Sequence, residues 1–451
     1  MALQLDIILP NLPMVQSKSI RNFVRKYSPA QYFERVLINH PWAVDGLMNR
    51  CMFGLTVTRD TDVDVRSNAL KGKSVLLAIT GGIAAVESVK LARELRRHQA
   101  ELTVVMSKEA TKVITPLAVS WASGVKVIEG WSSEMAQLDR HDVVLVAPAT
   151  RNTISKHIHG IMDSELMMAL SAARGRGDKM CFIPSMHQDL FDDPVTSDLI
   201  STLQDQGALV ITSDSVEGKI KQPDPVYIVA MVCHLANLSS RSKTIAITLG
   251  ANRAPIDDVR AIQNASSGRT GWLIAEYLHR FGHRVICVAG KTSSPPSFNL
   301  PLVFRDGTPD GMLSLCKKVA IEYSPDVWIH AAAVLDYYTE PEIGKRASGS
   351  EEWSLNLKPG PKHIAELSNL SSNSIRIGFK LESGVDPELL IERARLQLEK
   401  YQIDAVVANL MQEMNDPNSI RARIVAADGS IEVAPNDLAL CESIARIISA
   451  K

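Results

Sequence analysis

From Lys73 onward, short apolar runs alternate with amphipathic stretches. SVLLAIT (74–80) leads into Gly81-Gly82 and then IAAVESVKLARELRRH (83–98), whose apolar positions recur at helical spacing. ELTVVMS (101–107), VKVIEG (125–130), DVVLVAPAT (142–150), KMCFIPSM (179–186) and GALVITS (207–213) read as further strands, and NTISKHIHGI (152–161) as a helix. Runs without polar alternation fit strands buried on both faces. Strands that alternate with helices predict a parallel sheet with right-handed crossovers. Residues 222–243 predict a helix ending in the polar linker LSSRSK, a natural domain boundary. The rhythm then restarts with TIAITLG (244–250), RVICVAG (284–290), VWIHAAA (327–333), IRIGFKL (375–381), AVVANL (405–410) and ARIVAAD (422–428), and SIARIISAK closes the chain as a helix. The expected class is α/β, with two successive doubly wound parallel-sheet (Rossmann-like) domains at 71–240 and 241–451. Residues 1–70 read as an extension with one helix around 28–40.

The most informative stretch is TLGANRAPIDDVRAIQNASSGRTG, Thr248 to Gly271. It joins a strand to the helical pattern WLIAEYLHRFG, the arrangement by which α/β folds offer backbone N–H groups to phosphate. The spacing from Gly250 to Gly268 is too long for a dinucleotide fingerprint. The phosphate-cradling piece is expected at Asn264-Ala265-Ser266-Ser267-Gly268, with Asn and Ser capping helix N–H groups and Gly268 allowing close approach. A long surface loop with an ordinary cap is the other reading of the same residues. In the first half, the polar residues expected at strand carboxyl ends are Thr80, Gly81, Gly82, Ser107, Thr150, Asn152, Thr153, Ser185 and His187.

Composition narrows the classes. The formal net charge of −1 and 5% aromatic content give no electrostatic or stacking case for nucleic acid or an anionic membrane. Six cysteines without a CxxC spacing signal neither a zinc site nor a redox pair and fit reduced thiols in a cytoplasm. The N-terminus, MALQLDIILPNLPM, lacks a basic start and makes a poor signal peptide. No apolar run reaches the length of a membrane span.

GANRAPIDDVRAIQNASSG resembles the signature loop of the phosphopantothenate–cysteine ligase family, G-x-T-x-E-x-I-D-x-V-R-x-I-x-N-x-S-S-G. PDVWIHAAAVLDY (325–337), KRASGSEEWSLNLKPGPK (345–362) and GFKLES (378–383) resemble three further segments of that family, in the same order. TGGIAA (80–85), APATRNT (147–153) and PSMHQDL (184–190) resemble motifs of the FMN-binding decarboxylase family, which is commonly fused upstream of the ligase. EGKIK (217–221) is similar to the E-G-K-x-K of archaeal-type members. The resemblance implies an FMN flavodomain followed by a ligase domain, acting in coenzyme A biosynthesis. It implies that 4′-phosphopantothenate is joined to cysteine at the expense of CTP or ATP with Mg²⁺, through an acyl-nucleotide, and that the product is then decarboxylated. It also implies a cytoplasmic homo-oligomer with small-molecule substrates only.

Carried onto this chain, the resemblance puts Asn264 and Arg260 at the acyl-nucleotide, Lys345 on the triphosphate and Asn152 on the substrate carboxylate. Gly81, Gly82, Ser107 and Thr150 would surround the flavin. Ser266, Ser267, Gly268, Asp336, Lys362 and Phe379 would surround the nucleotide, with Lys358 a further candidate cation; no metal ligand is assigned. Departures from the pattern are Glu134 where the decarboxylases carry a His, Arg151 and Leu190 in flavin motifs, MDSELMM at 162–168, Asn252-Arg253-Ala254 in place of T-x-E, and Arg346 in place of an apolar residue. His141 reads as an exposed residue at the start of a strand. Two alternatives stay open: a ligase whose flavodomain is only an FMN-binding scaffold, and a non-catalytic nucleotide-binding module.

Overall fold

The computed structural model describes residues 60–131, 133–349, 352–414, 416 and 418–450. The helix expected around 28–40 lies outside them.

The first sheet holds five parallel strands: β1 (Ser74–Ile79), β2 (Glu101–Met106), β3 (Val143–Ala149), β4 (Lys179–Pro184) and β5 (Leu209–Val210), in the order β2-β1-β3-β4-β5. Residues 125–130 do not form the expected strand. Only Ile128 bridges the sheet, with its N–H on the Val104 carbonyl at 2.8 Å and its carbonyl accepting from Met106 at 2.9 Å, before the chain turns away at Gly130. The second sheet holds eight strands: β6 (Thr244–Leu249), β7 (Arg284–Ala289), β8 (Leu302–Arg305), β9 (Val327–His330), β10 (Ile375–Glu382), β11 (Ala405–Leu410), β12 (Ala422–Ala426) and β13 (Ile431–Ala434). Their order is β8-β7-β6-β9-β10-β11-β12-β13. It is parallel as far as β11, and the last two strands return antiparallel. The segment between β11 and β12 is too short for a crossover helix spanning the sheet, so the chain turns straight back. β8 and β13 escaped the sequence pattern because they are half-buried or exposed edge strands with no continuous apolar run.

The helices are α1 (Ser88–Arg97), α2 (Pro116–Ser123), α3 (Arg151–Ile158), α4 (Glu165–Arg176), α5 (Pro194–Asp205), α6 (Pro225–Asn237), α7 (Arg269–Arg280), α8 (Pro309–Tyr323), α9 (Pro387–Tyr401) and α10 (Asp437–Ala450). Several begin with one device: Thr115-Pro116, Asp193-Pro194, Asp224-Pro225, Thr308-Pro309 and Asp386-Pro387. The Thr or Asp side chain accepts an orphan N–H of the first turn, and proline presets φ where no donor is needed.

The two halves meet along α6. Val229, Val232 and Cys233 belong to the core of the first sheet, while Ala230 joins the core of the second. Tyr227 and Phe281 pack against both cores. Asn237 ties three elements together: its Nδ2 donates to the carbonyls of Ala69 (2.7 Å), Cys233 (3.0 Å) and Arg280 (3.0 Å). The imidazoles of His234 and His279 stack at 4.4 Å with their planes 10° apart. Burial is the first cause that lowers the pKa of His98, His234, His279 and His283, with His279 pushed down to about 3 and His283 to about 4.

A group whose folded pKa lies below its unfolded value binds fewer protons in the folded state, so stability rises with pH across that window. The contribution of His279 and His283 is complete above the ordinary 6.5 and is lost as pH falls through about 4 for His283 and about 3 for His279, and His98 and His234 act in the same direction. Glu94, held down at about 2 although burial pushes it up, by His98, Arg97 and Arg66, loses its contribution in the same direction at lower pH. Urea midpoints measured from neutral pH downward are expected to fall, and His279→Phe to flatten that slope by up to about 1.4 kcal/mol per pH unit, one proton's worth. An unchanged slope in His279→Phe contradicts the assignment.

Candidate active site

Both sheets carry their polar loops at the carboxyl ends of the parallel strands. In the second half, Gly250-Ala251-Asn252 leaves β6 and pairs with two neighbours at once. Ala251 exchanges N–H···O bonds with Lys291 at 2.8 and 2.9 Å. On the other side, Ala333 donates to Gly250 O (2.8 Å) and accepts from the N–H of Asn252 (2.9 Å). This crossing leaves no room for side chains. Gly250 and Gly268 both have φ +80°, and an added Cβ would lie 2.7 Å from the Lys291 carbonyl and 2.6 Å from Thr292 Cγ2, respectively.

The signature loop is more ordered than the sequence suggests. Arg253–Pro255 pairs antiparallel with Ala261–Gln263, and the buried Asp257 carboxylate closes the turn between them by accepting the N–H groups of Val259 (2.9 Å) and Arg260 (2.7 Å). Burial pushes the Asp257 pKa up, but these backbone donors outweigh it and hold the carboxyl below its ordinary value. The expected capping by Asn and Ser needs correction. Gly268 is the N-cap of α7, with no side-chain cap, and Ser267 Oγ only accepts the Arg269 N–H at 3.3 Å. Asn264 instead points its amide at the Ala333 carbonyl, 2.9 Å away. Ser266 is half-buried beside it, its N–H donating to the Asn264 carbonyl at 2.9 Å.

Next to this loop lies a cavity of about 600 Å³ lined by Thr248 and His330 at its base and by Asp336, Lys362 and Phe379 at its sides. A two-residue pairing makes this possible: Tyr337–Tyr338 runs antiparallel to Lys358–Pro359, and the Gly360 N–H donates to the Asp336 carbonyl at 2.8 Å. That pairing delivers Lys362 onto the Asp336 carboxylate. Ala332 and Val334 line the cavity on either side of Ala333, whose carbonyl holds the Asn264 amide, while Asn264 itself is not on the lining.

Lys345 is not on the lining. It is exposed, on the flank beside Arg260, whose guanidinium donates to the Arg346 carbonyl at 2.7 Å. Lys358 is also off the lining, paired with Glu340 at 2.8 Å. Sequence reasoning missed Lys380, Glu382, Arg393 and Lys400, which line the opposite wall. Glu382 is shared by Lys380 (3.0 Å) and Arg393 (2.6 Å). The spacing of Arg393, Gln397 and Lys400 marks one face of α9, a signal present in the sequence. The lining carries four cations, Lys362, Lys380, Arg393 and Lys400, against two carboxylates, and so favours an anionic ligand. His330 is buried and stacked on Trp328, and burial pushes it down to about 3, leaving it neutral. Among the described residues, no group of three or more His, Cys, Asp or Glu could hold a metal ion.

In the first half, Thr80 links two strand ends: its hydroxyl donates to the Pro148 carbonyl (2.7 Å) and accepts the Thr150 N–H (3.0 Å). Gly82 faces Thr150 and Ser185, its missing Cβ position lying 3.4 Å from Thr150 Cγ2 and 4.0 Å from the Ser185 carbonyl. Gly81 backs onto Glu109 instead. The Ser185 hydroxyl is buried with no partner, an orphan that suits a ligand with polar edges. Thr150 caps α3 through the Thr153 N–H, and the Ser107 hydroxyl accepts the Ala110 N–H at 3.2 Å. Asn152 is exposed on the first turn of α3, and Arg151 pairs with Asp193 at 2.7 Å. His187 and the hairpin holding Glu217-Gly218-Lys219 lie side by side, the His187–Lys219 pair sitting in one small sheet. Glu134 is exposed. His141 is buried rather than exposed, and desolvation lowers its pKa. A residue beside an apolar strand end is covered when the following helical layer closes over it.

Residues 64–237 match the Flavoprotein family, and residues 240–448 match the family described as DNA/pantothenate metabolism flavoprotein C-terminal domain. The chain is 38% identical over 355 residues to the coenzyme A biosynthesis bifunctional protein CoaBC of Thermococcus kodakarensis, covering 77% of this chain and 87% of that one. The protein of the same description from Methanocaldococcus jannaschii is 33% identical over 353 residues, covering 76% and 85%. A solved structure, the DNA/pantothenate metabolism flavoprotein from Streptococcus pneumoniae, is 26% identical and covers 46% of this chain and 98% of that one, with a TM-score of 0.40.

The loop crossing makes a direct prediction. Gly268→Ala is expected to lower stability by about 1–3 kcal/mol, through a positive φ and contact with Thr292. Thr292→Ser, which removes Cγ2, should recover part of that loss in denaturant titrations, and no recovery would show that the contact is unimportant.

Proposed function

The chain belongs to the family of bifunctional coenzyme A biosynthesis proteins, which pair a flavoprotein decarboxylase with a phosphopantothenate–cysteine ligase, and from that premise we propose how its own residues serve the two steps. The observation that carries the ligase reading is the cavity in which Asp336, Lys362 and Phe379 converge beside Asn264 under an excess of cations.

A carboxylate is a poor electrophile, so the 4′-phosphopantothenate carboxylate first attacks the α-phosphorus of a nucleoside triphosphate, CTP or ATP. An acyl-nucleotide forms and pyrophosphate leaves. The cysteine amine then attacks the acyl carbon, and the nucleoside monophosphate leaves with the electron pair. Lys362, Lys380, Arg393 and Lys400 supply the positive field for phosphate charge. Phe379 is half-buried on β10 and offers a ring to the base. The Ala333 carbonyl takes one N–H of the Asn264 amide and orients the other toward the acyl oxygen, where charge builds as the amine attacks. Arg260 and Lys345 sit together on the flank, where Lys345 reaches the outer phosphates. Mg²⁺ arrives with the triphosphate, as it does where proteins supply few ligands of their own. In the first half, Gly82, Thr150 and the orphan hydroxyl of Ser185 would hold FMN, and Asn152 the substrate carboxylate. Bound FMN supplies the thiol oxidation that turns the neighbouring carboxylate into a leaving group. The exposed Glu134, standing where the family carries a His, favours a second reading in which the flavodomain binds FMN without decarboxylating. The expected setting is a cytoplasmic homo-oligomer; among the described residues no helix is long and apolar enough to cross a membrane.

Incubation with phosphopantothenate, cysteine, nucleotide and Mg²⁺ is expected to yield pyrophosphate and ligated product, with carbon dioxide if the flavin half turns over. Asn264→Ala should lower kcat about 10–1,000-fold while the nucleotide KM stays within about two-fold, the signature of an interaction made in the transition state. Wild-type kcat in that variant contradicts the role. Ser185→Ala should purify with less bound flavin, read from its visible absorbance. Full flavin occupancy would remove Ser185 from the flavin site.

A further inference from the structure

We infer that Trp353 is a positioning residue for Lys345, an inference that rests on the ligase reading above. Lys345 lies between two backbone positions that are held against the signature loop. The Asp258 N–H donates to the Gly344 carbonyl at 3.3 Å, and the Arg346 N–H donates to the buried Asp257 carboxylate at 3.4 Å. The Glu342 N–H donates to the Ile256 carbonyl at 2.8 Å, and Arg260 reaches the Arg346 carbonyl at 2.7 Å. These contacts bring two guanidinium groups, Arg260 and Arg346, side by side at the surface. Like charges in that position repel, and the Asp257 carboxylate, 3.6 Å from the Arg260 guanidinium and accepting the Arg346 N–H, offsets part of that repulsion.

Trp353 acts in the same sense. The guanidinium carbons of Arg260 and Arg346 each lie 4.9 Å from the centre of its ring. An indole face is electron-rich, and one ring attracts both cations. The Arg346 guanidinium meets Glu342 at 3.9 Å, a half-exposed pair that contributes little, while the buried Asp257 carboxylate lies 3.6 Å from the Arg260 guanidinium. The ring is half-buried beneath the two side chains, although its residue is flanked by Glu352 and Ser354, both exposed. Arg346 and Trp353 belong together: Arg346 stands where the ligase motif carries an apolar residue, and the ring converts that charge from a liability into a contact. The consequence is mechanical. With the ring in place, the Lys345 backbone is fixed to the turn that also carries Arg260, so the Lys345 ammonium is placed relative to the signature loop. Without it, two guanidinium groups repel and the strip bearing Lys345 loosens.

The test uses the full chain and five variants, W353A, W353F, K345A, R346Q and the double variant W353A/K345A, assayed for pyrophosphate release as nucleotide is varied. W353A is expected to raise the nucleotide KM about tenfold with a smaller fall in kcat, and W353F to stay within about two-fold of wild type because it keeps an aromatic face. The double variant should be no worse than K345A, within about two-fold, because the ring acts through the lysine. Visible flavin absorbance and the thermal midpoint should not move. R346Q, which removes one cation and keeps the ring, should shift KM in the same direction as W353A by a smaller factor. If K345A is impaired and W353A matches wild type, or if the two losses multiply, the positioning role is wrong and the ligase reading survives. If K345A itself is kinetically silent, the role assigned to Lys345 fails and the inference falls with it.

Discussion

The ligase half depends on one crowded crossing. Gly250-Ala251-Asn252 is hydrogen-bonded on one side to the loop after β7 and on the other to the loop after β9. Backbone approaches backbone there, so the three loops cannot move independently. Asn252 is fully buried, and its side-chain oxygen accepts the Leu335 N–H at 3.4 Å, which fixes the start of the segment carrying Asp336. The amide of Asn264 is aimed by the same Ala333 whose backbone closes the crossing. Replacing the family's T-x-E by Asn252-Arg253-Ala254 therefore changes the side chains but keeps a polar residue at the knot. The chemistry proposed for the site requires donors fixed before charge develops, and a knot of main-chain bonds fixes them without long side chains that would lose entropy on ordering.

Charge is distributed to match. The cavity wall from α9 supplies Arg393 and Lys400, and β10 supplies Lys380, so the positive field comes from regular elements. Lys362 and Lys345 come from the irregular segment between β9 and β10, one delivered by a two-residue hairpin and the other clamped beside Arg260. Lys345 thus stands beside the signature loop, off the lining, and Lys362 on the cavity side. The first half follows a plainer scheme, in which adjacent strand ends place Thr80, Thr150 and Ser185 in one row.

Much of this was legible in the residues. The buried strands of both sheets were marked by apolar runs, and the Thr-Pro and Asp-Pro helix starts are local signals that tertiary packing did not override. The edge strands Leu302–Arg305 and Ile431–Ala434 were not, because an edge strand need not be apolar on both faces. VKVIEG meets the Glu101–Met106 edge only at Ile128, because the chain leaves the sheet at Gly130, which its apolar residues do not signal. Motif resemblance drew attention to Asp336, Lys362 and Phe379, which line one cavity, and to Asn264, which bonds to the Ala333 carbonyl off that lining. It did not separate Lys345 from them, since position along a motif carries no information on which side of a loop a lysine emerges. The wall formed by α9 was visible only as a helical face of Arg, Gln and Lys, a pattern that ordinary solvated helices share. His141 shows the converse: a polar residue beside a strand was assigned to solvent, and packing buried it.

The central claim is that this cavity makes an inert carboxylate reactive by joining it to a nucleotide. Phosphopantothenate labelled with heavy oxygen in its carboxylate, turned over with cysteine and nucleotide, tests it most directly. One labelled oxygen is predicted in the phosphate of the nucleoside monophosphate, because the bond between acyl carbon and that oxygen breaks when the amine attacks. Label in inorganic phosphate, or retained entirely in the substrate and product, would contradict the account.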